Sequence, residues 1–238
     1  MNDEFQRRQM DYYDRSATDY EQGDGIARTL NRAFQRKAKI ILQALAGTER
    51  KAVFEVGAGS GLMTWFVAQR LPHRRYVALD LSQSMLELAR RRLDGVKPVE
   101  FVQGDAAATG LPSGFADTVI GCDIIHHLEH PVDALREWHR LASPGARLAI
   151  LETNPRNPLH WRFIGVEHEV RSWLNTDTNL LRWVQEAGWK NVRVEAAPVF
   201  TPAGPKGTGW LLDLLDRVSL WIPGWRRLTA MWLITAEK

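Results

Sequence analysis

The stretch "VFEVGAGSGLMT", residues 53–64, decides the fold. A short apolar run is followed by glycines at 57, 59 and 61 and then by helix-forming residues. Glycine lets the backbone turn tightly and approach a ligand at a distance that a Cβ would block. We therefore predict a strand, a ligand-binding loop and a helix in that order. A G-x-G-x-x-G dinucleotide site would need glycine where the sequence has Leu62, which argues against a nicotinamide cofactor.

The strand and helix pattern then repeats along the next hundred residues. Short apolar runs alternate with helical periods, which indicates a parallel sheet with crossover helices and hence an α/β fold. Two later runs alternate apolar and polar residues, as strands do. The predicted strands are 52–56, 75–80, 99–103, 117–122, 146–152, 191–196 and 230–238.

The helices between these strands carry recognisable end signals. Ser84 and Glu87 have the spacing of a capping box in the helix over 82–93. Pro131 suits the first position of the next helix, which we expect to end at the turn "SPG", residues 143–145. A further helix over 177–187 is closed by Gly188.

Composition narrows the class of protein. The chain has 238 residues, enough for one large domain, and its 31 basic against 28 acidic residues give a net charge of +3. Because Lys and Arg form no long run, we expect no nucleic-acid partner. The single cysteine, Cys122, excludes a disulfide framework and favours a reducing, cytoplasmic location. A polar start and the lack of about eighteen consecutive apolar residues predict neither a signal peptide nor a spanning helix.

Acidic residues stand at the ends of the first three strands. Glu55 precedes the glycine loop and suits a ligand with an ammonium or sulfonium charge. Asp80 can accept the two hydroxyls of a ribose, and Asp105 with the amide of Ala106 can meet the edge of a base. The carboxyl ends of parallel strands face one crevice, where ligands bind in open α/β sheets. These residues predict a cationic nucleoside ligand.

The motifs together resemble the class I S-adenosylmethionine-dependent methyltransferases. "EVGAGSG", 55–61, matches the E/D-x-G-x-G-x-G pattern of that family, and 122–152 is similar to its fourth and fifth strands. The resemblance is to enzymes of the ubiquinone and menaquinone pathways. It implies S-adenosyl-L-methionine as cofactor, held by Glu55, Gly57, Ala58, Gly59, Gly61, Asp80, Leu81, Met85, Asp105, Ala106, Cys122 and Tyr20.

The resemblance also implies an architecture. We expect a Rossmann-like seven-stranded mostly parallel sheet with helices on both faces and the last strand antiparallel. One methyltransferase domain would span residues 1–238. It would comprise a helical cover over 1–50, the cofactor-binding core over 51–152 and acceptor-binding segments over 153–238. In the cover, Tyr20 is our first candidate to close over the cofactor and Tyr13 the second.

The loop after the fourth strand offers catalytic candidates. Asp123, His126 and His127 share one face if the loop forms a helical turn. Either histidine could take the proton of an acceptor hydroxyl at neutral pH. Two other interpretations are open: the histidines only pack and cap, or they bind a metal with Asp123, in analogy to an E-x-x-E-H motif of related O-methyltransferases. We predict no metal, since two histidines replace harder oxygen ligands.

The segments outside the core indicate a lipophilic acceptor. Trp161, Phe163 and Trp173 provide an apolar lining, and residues 210–222 place an apolar stripe on one helical face. That stripe fits a lid or a peripheral membrane contact. We predict O-methylation of a lipophilic small molecule, with C-methylation of an activated aromatic or quinone ring as the alternative. A non-catalytic cofactor-binding module would carry the same binding motifs.

Overall fold

The computed structural model describes residues 3–22, 24–47, 51–96, 98–157, 171–197, 214, 218 and 229–238. Within these ranges only the backbone is described for 3, 6, 16–33, 171 and 172. The predicted Trp161 and Phe163 lie outside the described residues, and so does most of the stripe over 210–222.

Two long helices precede an alternation of strands and helices. The helices are α1 (Asp3–Gln22), α2 (Asp24–Ala44), α3 (Leu62–Ala68), α4 (Gln83–Arg92), α5 (Pro131–Leu141) and α6 (Asp177–Glu186), with short 3-10 helices at Ile125–His127 and Arg171–Leu174. The strands are β1 (Ala52–Val56), β2 (Arg75–Asp80), β3 (Glu100–Gln103), β4 (Ala116–Cys122), β5 (Ala142–Thr153), β6 (Lys190–Ala197) and β7 (Met231–Glu237).

The strands form one seven-stranded sheet in the order β3-β2-β1-β4-β5-β7-β6. The first five strands pair in parallel, whereas β7 runs antiparallel to both β5 and β6. The predicted mostly parallel sheet with an antiparallel last strand is therefore confirmed. The strand order reverses direction between β1 and β4, and in such sheets the crevice at this switch point binds ligands.

Helices pack on both faces of the sheet because its strands alternate between two buried layers. Phe54 and Val56 of β1 belong to one core cluster, together with Trp138 of α5. Val53 points to the other face, where it joins a cluster that includes Ile41 of α2. Side chains in a strand point to opposite faces with a period of two, so one apolar strand supports both layers. The sheet is thus held rigidly from both sides, which fixes the positions of its carboxyl ends.

Two local predictions need correction. The cap of α4 is Ser82, whose hydroxyl accepts a hydrogen bond of 3.1 Å from the Met85 amide, so the helix begins before the predicted box of Ser84 and Glu87. Residues 143–145 are not a separate turn, since β5 already starts at residue 142 and pairs there with β4 through a register shift. Gly145 takes the left-handed conformation with φ 76° inside this irregular start of the strand.

No helix within the described ranges is long and apolar enough to cross a membrane.

Candidate active site

A cavity of about 670 Å³ lies at the carboxyl ends of β1, β2, β3 and β4. Its wall is built from the loops that follow these strands and from side chains of α1 and α2. Of the residues predicted to bind cofactor or act in catalysis, it brings together Gly57, Ala58, Gly59, Asp80, Leu81, Met85, Asp105, Ala106, Cys122 and His127.

The glycine loop reaches the cavity with bare backbone. The amides of Gly57 and Ala58 both donate to the Leu79 carbonyl, at 2.9 and 3.0 Å, which anchors the loop to the end of β2. Gly57 has φ 69°, and a Cβ there would lie 2.8 Å from Cδ1 of Ile124. Only glycine allows this combination of a left-handed backbone and a close neighbour. The loop is therefore pressed against the residues that follow β4.

Asp80 links the glycine loop to the next helix. Its Oδ2 accepts a hydrogen bond of 2.7 Å from the Gly59 amide, and its Oδ1 accepts one of 3.0 Å from the Ser82 amide. Burial raises the pKa of Asp80, and these backbone hydrogen bonds act in the opposite direction. Ser82 in turn donates to the Asp14 carboxylate of α1 at 2.5 Å. The Asp80 carboxylate thus connects the loop after β1 to the start of α4, and Ser82 extends this connection to α1.

The wall next to β2 and β3 combines apolar and polar groups. Leu81 and Met85 contribute apolar surface, and Met85 is only 2% exposed. Asp105 accepts a hydrogen bond of 2.8 Å from the Ala107 amide, which holds the turn after β3 against the cavity. An apolar face beside a carboxylate and backbone amides suits a flat heterocyclic base.

Glu55 is not among the residues that line the cavity, contrary to the expectation that it faces the ligand. Its side chain points into the layer between β1 and the α2–α3 side, where it is 1% exposed and accepts a hydrogen bond of 2.7 Å from the Tyr76 hydroxyl. Burial raises the pKa of Glu55 to about 7, although the hydrogen bond from Tyr76 lowers it. The carboxyl group therefore links β1 to β2 inside the core.

Gly61 differs from the expected placement, and the prediction for Tyr20 lies outside the described side chains. Gly61 lies away from the cavity wall with φ 76°, and a Cβ there would lie 2.8 Å from the Cβ of Ala89 in α4. Its role is close helix packing. The backbone of Tyr20 belongs to α1, but its side chain lies outside the described residues. Tyr13, the second candidate, does line the cavity.

The two predicted catalytic histidines occupy different environments. Their rings are neighbours, with centroids 4.1 Å apart. His126 is 5% exposed and is not among the cavity-lining residues, whereas His127 is. The predicted common face with Asp123 is wrong because Asp123 has φ 53° and the helical turn begins only at Ile125. We therefore treat the two histidines separately.

His126 is held by a buried carboxylate that sequence reasoning missed. Its Nδ1 lies 2.8 Å from Oε2 of Glu152, a residue at the end of β5 with no exposed surface. Burial lowers the pKa of His126. The carboxylates of Glu152 and Asp123 and the hydrogen bond to Glu152 raise it, and the net shift is upward. Glu152 also accepts hydrogen bonds from the amides of Ile124 and Ile125 and from the Asn175 side chain. This one carboxylate fixes the whole turn after β4, and its place inside an apolar strand was the available signal.

Asp123 is paired with a residue from the second helix. Lys37 of α2 forms an ion pair with its Oδ2, and the Cys122 thiol lies 3.4 Å from the same atom. Burial raises the pKa of Asp123, but the Lys37 ammonium, the neighbouring His126 and the hydrogen bonds to the carboxylate together lower it, so the net shift is downward. Burial also raises the pKa of the Cys122 thiol well above its ordinary value. Cys122 is thus a neutral wall residue, and Asp123 is a carboxylate neutralised by Lys37.

Among the described residues, no three His, Cys, Asp or Glu side chains are grouped so as to hold a metal ion. The D-x-x-H-H residues instead have separate protein partners, namely Lys37, Glu152 and Tyr13.

His127 meets the cover helix inside the cavity. The Tyr13 hydroxyl lies 2.8 Å from Nε2 and 3.3 Å from Nδ1 of the imidazole. Oε1 of Gln9 lies 3.2 Å from Nδ1. Gln9 carries no sequence signal, since its partner is more than one hundred residues away along the chain. Of the two histidines, His127 is therefore the one placed to meet a ligand.

Comparison with known proteins agrees with this geometry. Residues 54–150 match a family model described as a methyltransferase domain. An uncharacterized 37.1 kDa protein in transposon TN4556 of Streptomyces fradiae is 32% identical over 114 residues, which cover 48% of this chain and 33% of that protein. The ubiquinone biosynthesis O-methyltransferase of Pseudomonas aeruginosa is 29% identical over 158 residues, which cover 60% of this chain and 66% of that enzyme. The chain thus spans one to two thirds of the length of these relatives.

A solved structure shares the fold over nearly the whole chain. It is an S-adenosylmethionine-dependent methyltransferase from Thermotoga maritima, described as a possible histamine N-methyltransferase, with a TM-score of 0.67 and 18% identity. The superposition covers 96% of this chain and 99% of that one. The family match and the shared fold define the class: residues 54–150 match a methyltransferase domain, on a fold shared with a solved methyltransferase structure.

Proposed function

We propose that the protein transfers a methyl group from S-adenosylmethionine to a hydroxyl group of a lipophilic small molecule. One observation carries the proposal: the nucleoside-suited carboxylates Asp80 and Asp105 line the same cavity as the imidazole of His127. A methyl donor and a proton acceptor can therefore occupy one enclosed space.

The cofactor's place follows from the groups around the cavity. In this proposal the ribose hydroxyls bind Asp80, the adenine lies against Leu81 and Met85, and its edge meets Asp105 and the Ala106 amide. The methionine part lies on the backbone of Gly57 to Gly59. Glu55 lies buried at the end of β1 and has no contact with the cofactor in this proposal.

The chemistry is an in-line displacement at the methyl carbon. The acceptor oxygen forms a bond to carbon as the sulfur–carbon bond breaks, the hydroxyl proton passes to Nε2 of His127, and S-adenosylhomocysteine leaves. Holding both reactants in line can contribute about 7 to 11 kcal/mol, so alignment is the protein's main task. The imidazole adds a base of suitable strength near neutral pH. His126 has the supporting task of holding the turn.

The acceptor side of the cavity combines apolar and polar side chains. Phe5, Phe34 and Leu128 contribute apolar surface, Gln9, Glu129 and Asp133 contribute polar groups, and the described part of the wall contains neither Lys nor Arg. An acceptor phosphate would find no cationic partner among these residues, and burying such a charge unpaired is costly. A neutral lipophile carrying a hydroxyl fits better, and nucleic acid does not. The Pseudomonas relative, named for ubiquinone biosynthesis and O-methylation, supports this choice.

The test uses the whole protein with methyl-labelled S-adenosylmethionine and a fractionated bacterial lipid extract. We expect S-adenosylhomocysteine to form and the label to enter an apolar product as a methyl ether, located by fragmentation in mass spectrometry. His127→Ala should reduce turnover by about 10²-fold or more, as removal of a general base does. His73→Ala, on a residue outside the cavity wall, is the matched control.

The other outcomes separate the alternatives. A carbon-bound methyl group in the product would replace O-methylation by C-methylation. Calorimetric binding of S-adenosylhomocysteine with no turnover of any fraction would instead indicate a non-catalytic binding module. Equal rates for His127→Ala and His73→Ala would remove His127 as the base.

We also propose a cytoplasmic location with peripheral membrane contact through the stripe over 210–222. Two residues of that stripe are described: Leu214 and Val218 are helical, and 48% and 45% exposed. Both side chains present apolar surface outward. Sedimentation with vesicles of anionic and zwitterionic lipid tests this contact, and failure to sediment with either at low salt would contradict it.

A further inference from the structure

The contacts of His127 come mainly from a distant part of the chain. Gln9 and Tyr13, four residues apart and hence on one face of α1, both reach its imidazole. All three side chains are partly buried and line the cavity. The site of the proposed base is therefore incomplete without the first helix.

Gln9 decides which ring nitrogen carries the proton. Oε1 of an amide can only accept a hydrogen bond, so the nitrogen that meets it must donate. That nitrogen is Nδ1, at 3.2 Å. A neutral imidazole has one protonated nitrogen, and Nε2 then holds the lone pair. This tautomer is the one that leaves Nε2 able to take a proton.

Tyr13 occupies the space beside that lone pair. Its hydroxyl is 2.8 Å from Nε2 and can donate to it. Its ring meets the imidazole edge to face, with centroids 5.4 Å apart, and also packs against Met85 and Leu88 of α4. The hydroxyl of an acceptor must reach the same nitrogen. The Tyr13 hydroxyl therefore occupies the position beside Nε2 that the acceptor hydroxyl must take.

The helix that carries both residues is tied to the cofactor side of the cavity. The Asp14 carboxylate, next to Tyr13 in sequence, accepts a hydrogen bond from the Ser82 hydroxyl. The Ser82 amide binds Asp80, the residue assigned to the ribose. A chain of hydrogen bonds thus connects the proposed cofactor site to the helix that orients the base.

We propose that α1 completes the base site: Gln9 fixes the His127 tautomer in which Nε2 carries no proton, and Tyr13 holds that nitrogen until an acceptor hydroxyl replaces the phenol. Gln9 is a positioning residue in this arrangement, and Tyr13 is a placeholder that competes with the acceptor. The inference rests on the proposed function only in naming His127 as the base. The tautomer can be measured independently of any activity.

The first test is spectroscopic. Protein labelled with ¹⁵N-histidine is recorded at a pH where the ring is neutral, and the His127 signals are assigned by their loss in His127→Ala. We expect the Nδ1–H tautomer in the parent and a shift away from it in Gln9→Met, which keeps the length of the side chain but replaces the amide oxygen by a weakly accepting sulfur. An Nε2–H tautomer in the parent, or an unchanged spectrum in Gln9→Met, overturns the assignment even if no acceptor is known.

The second test is kinetic, with an acceptor identified from the lipid extract. Gln9→Met should reduce kcat by about three- to tenfold, the equivalent of one hydrogen bond, with KM changed by less than about twofold. Gln9→Glu should restore kcat and move the acid limb of the pH–rate profile to higher pH, because a carboxylate favours the protonated ring. The imidazole of His127 neighbours Tyr13 and the His126 ring. The other titratable groups of the cavity wall are Asp80, Asp105, Cys122, Asp123, Glu129, His130 and Asp133, and all of these groups are retained in both variants. Identical kcat and pH profiles in the three proteins would overturn the role of Gln9.

The placeholder role is tested with Tyr13→Phe. Removing the hydroxyl should lower KM for the acceptor by about three- to tenfold, because the acceptor no longer displaces a hydrogen-bonded group. Tyr12→Phe is the control, since Tyr12 neighbours Tyr13 on the same helix but does not line the cavity. An unchanged or raised KM in Tyr13→Phe overturns the placeholder. If His127→Ala loses turnover while the Gln9 and Tyr13 variants behave like the parent, the proposed function stands and the inference about α1 fails.

Discussion

The loop after β1 and the turn after β4 touch each other at one cavity, yet they are held in different ways. The first is fixed by backbone: amides of Gly57 and Ala58 bind the neighbouring strand, and glycine conformations make the bend. The second is fixed by side chains from distant segments, chiefly Lys37 and Glu152. A backbone site is encoded locally, whereas a site that orients side chains needs partners from elsewhere in the fold.

Glu152→Ala should give the largest loss of stability, because it removes the side chain that fixes the turn after β4. It leaves two amides, an imidazole and the Asn175 side chain without their buried acceptor. Removing one partner of a buried charged network costs about 3 to 5 kcal/mol. We expect a fall of this size in the free energy of unfolding, measured by urea denaturation. Glu186→Ala on the exposed face of α6 is the control, expected within about 0.5 kcal/mol of the parent. Similar values for both variants would mean that the turn does not depend on Glu152.

Glu55, at the end of β1, should make the free energy of unfolding depend on pH. Because burial raises its pKa from 4.5 to about 7, the folded protein keeps a proton that the unfolded chain releases between these values. Stability should therefore fall as pH rises through this window, by on the order of 3 kcal/mol. Glu55→Gln should remove this part of the slope, and the difference between parent and variant isolates it from the contribution of His126. The measurement is urea unfolding at several pH values. An equal dependence of the unfolding free energy on pH in the parent and in Glu55→Gln would contradict the prediction.

Gly61→Ala and Gly59→Ala separate two costs of adding a Cβ to the loop: steric overlap with a neighbour and an unfavourable backbone conformation. At Gly61 a Cβ would meet both the Cβ and the Cα of Ala89, so helix and loop must move apart. We expect a loss of about 2 to 3 kcal/mol in the free energy of unfolding. At Gly59, where φ is 50°, the added Cβ has open space and only the conformational cost of about 1 kcal/mol remains. Thermal or urea unfolding of the two variants tests this order, and the reverse order would refute it.

Sequence reasoning worked well where neighbouring residues decide the structure. The period of apolar residues gave the strands, and Pro131 marked the start of α5 as observed. It failed at Glu55, because the alternation of a strand does not tell which polar side chain is turned towards a partner such as Tyr76. It also treated His126 and His127 as equivalent, since adjacent residues in a short turn carry no local signal of which one is buried.

The sequence by itself determined the parallel sheet, the glycine loop and the carboxylates at strand ends, because periodicity and backbone chemistry act over a few residues. Only the tertiary structure decided that His127 and not His126 faces the cavity, and that Gln9, Tyr13, Lys37 and Glu152 surround this turn. These contacts join residues 26 to 118 positions apart. Hydrogen bonds and ion pairs between such distant groups depend on how the helices pack on the sheet, which no local pattern records.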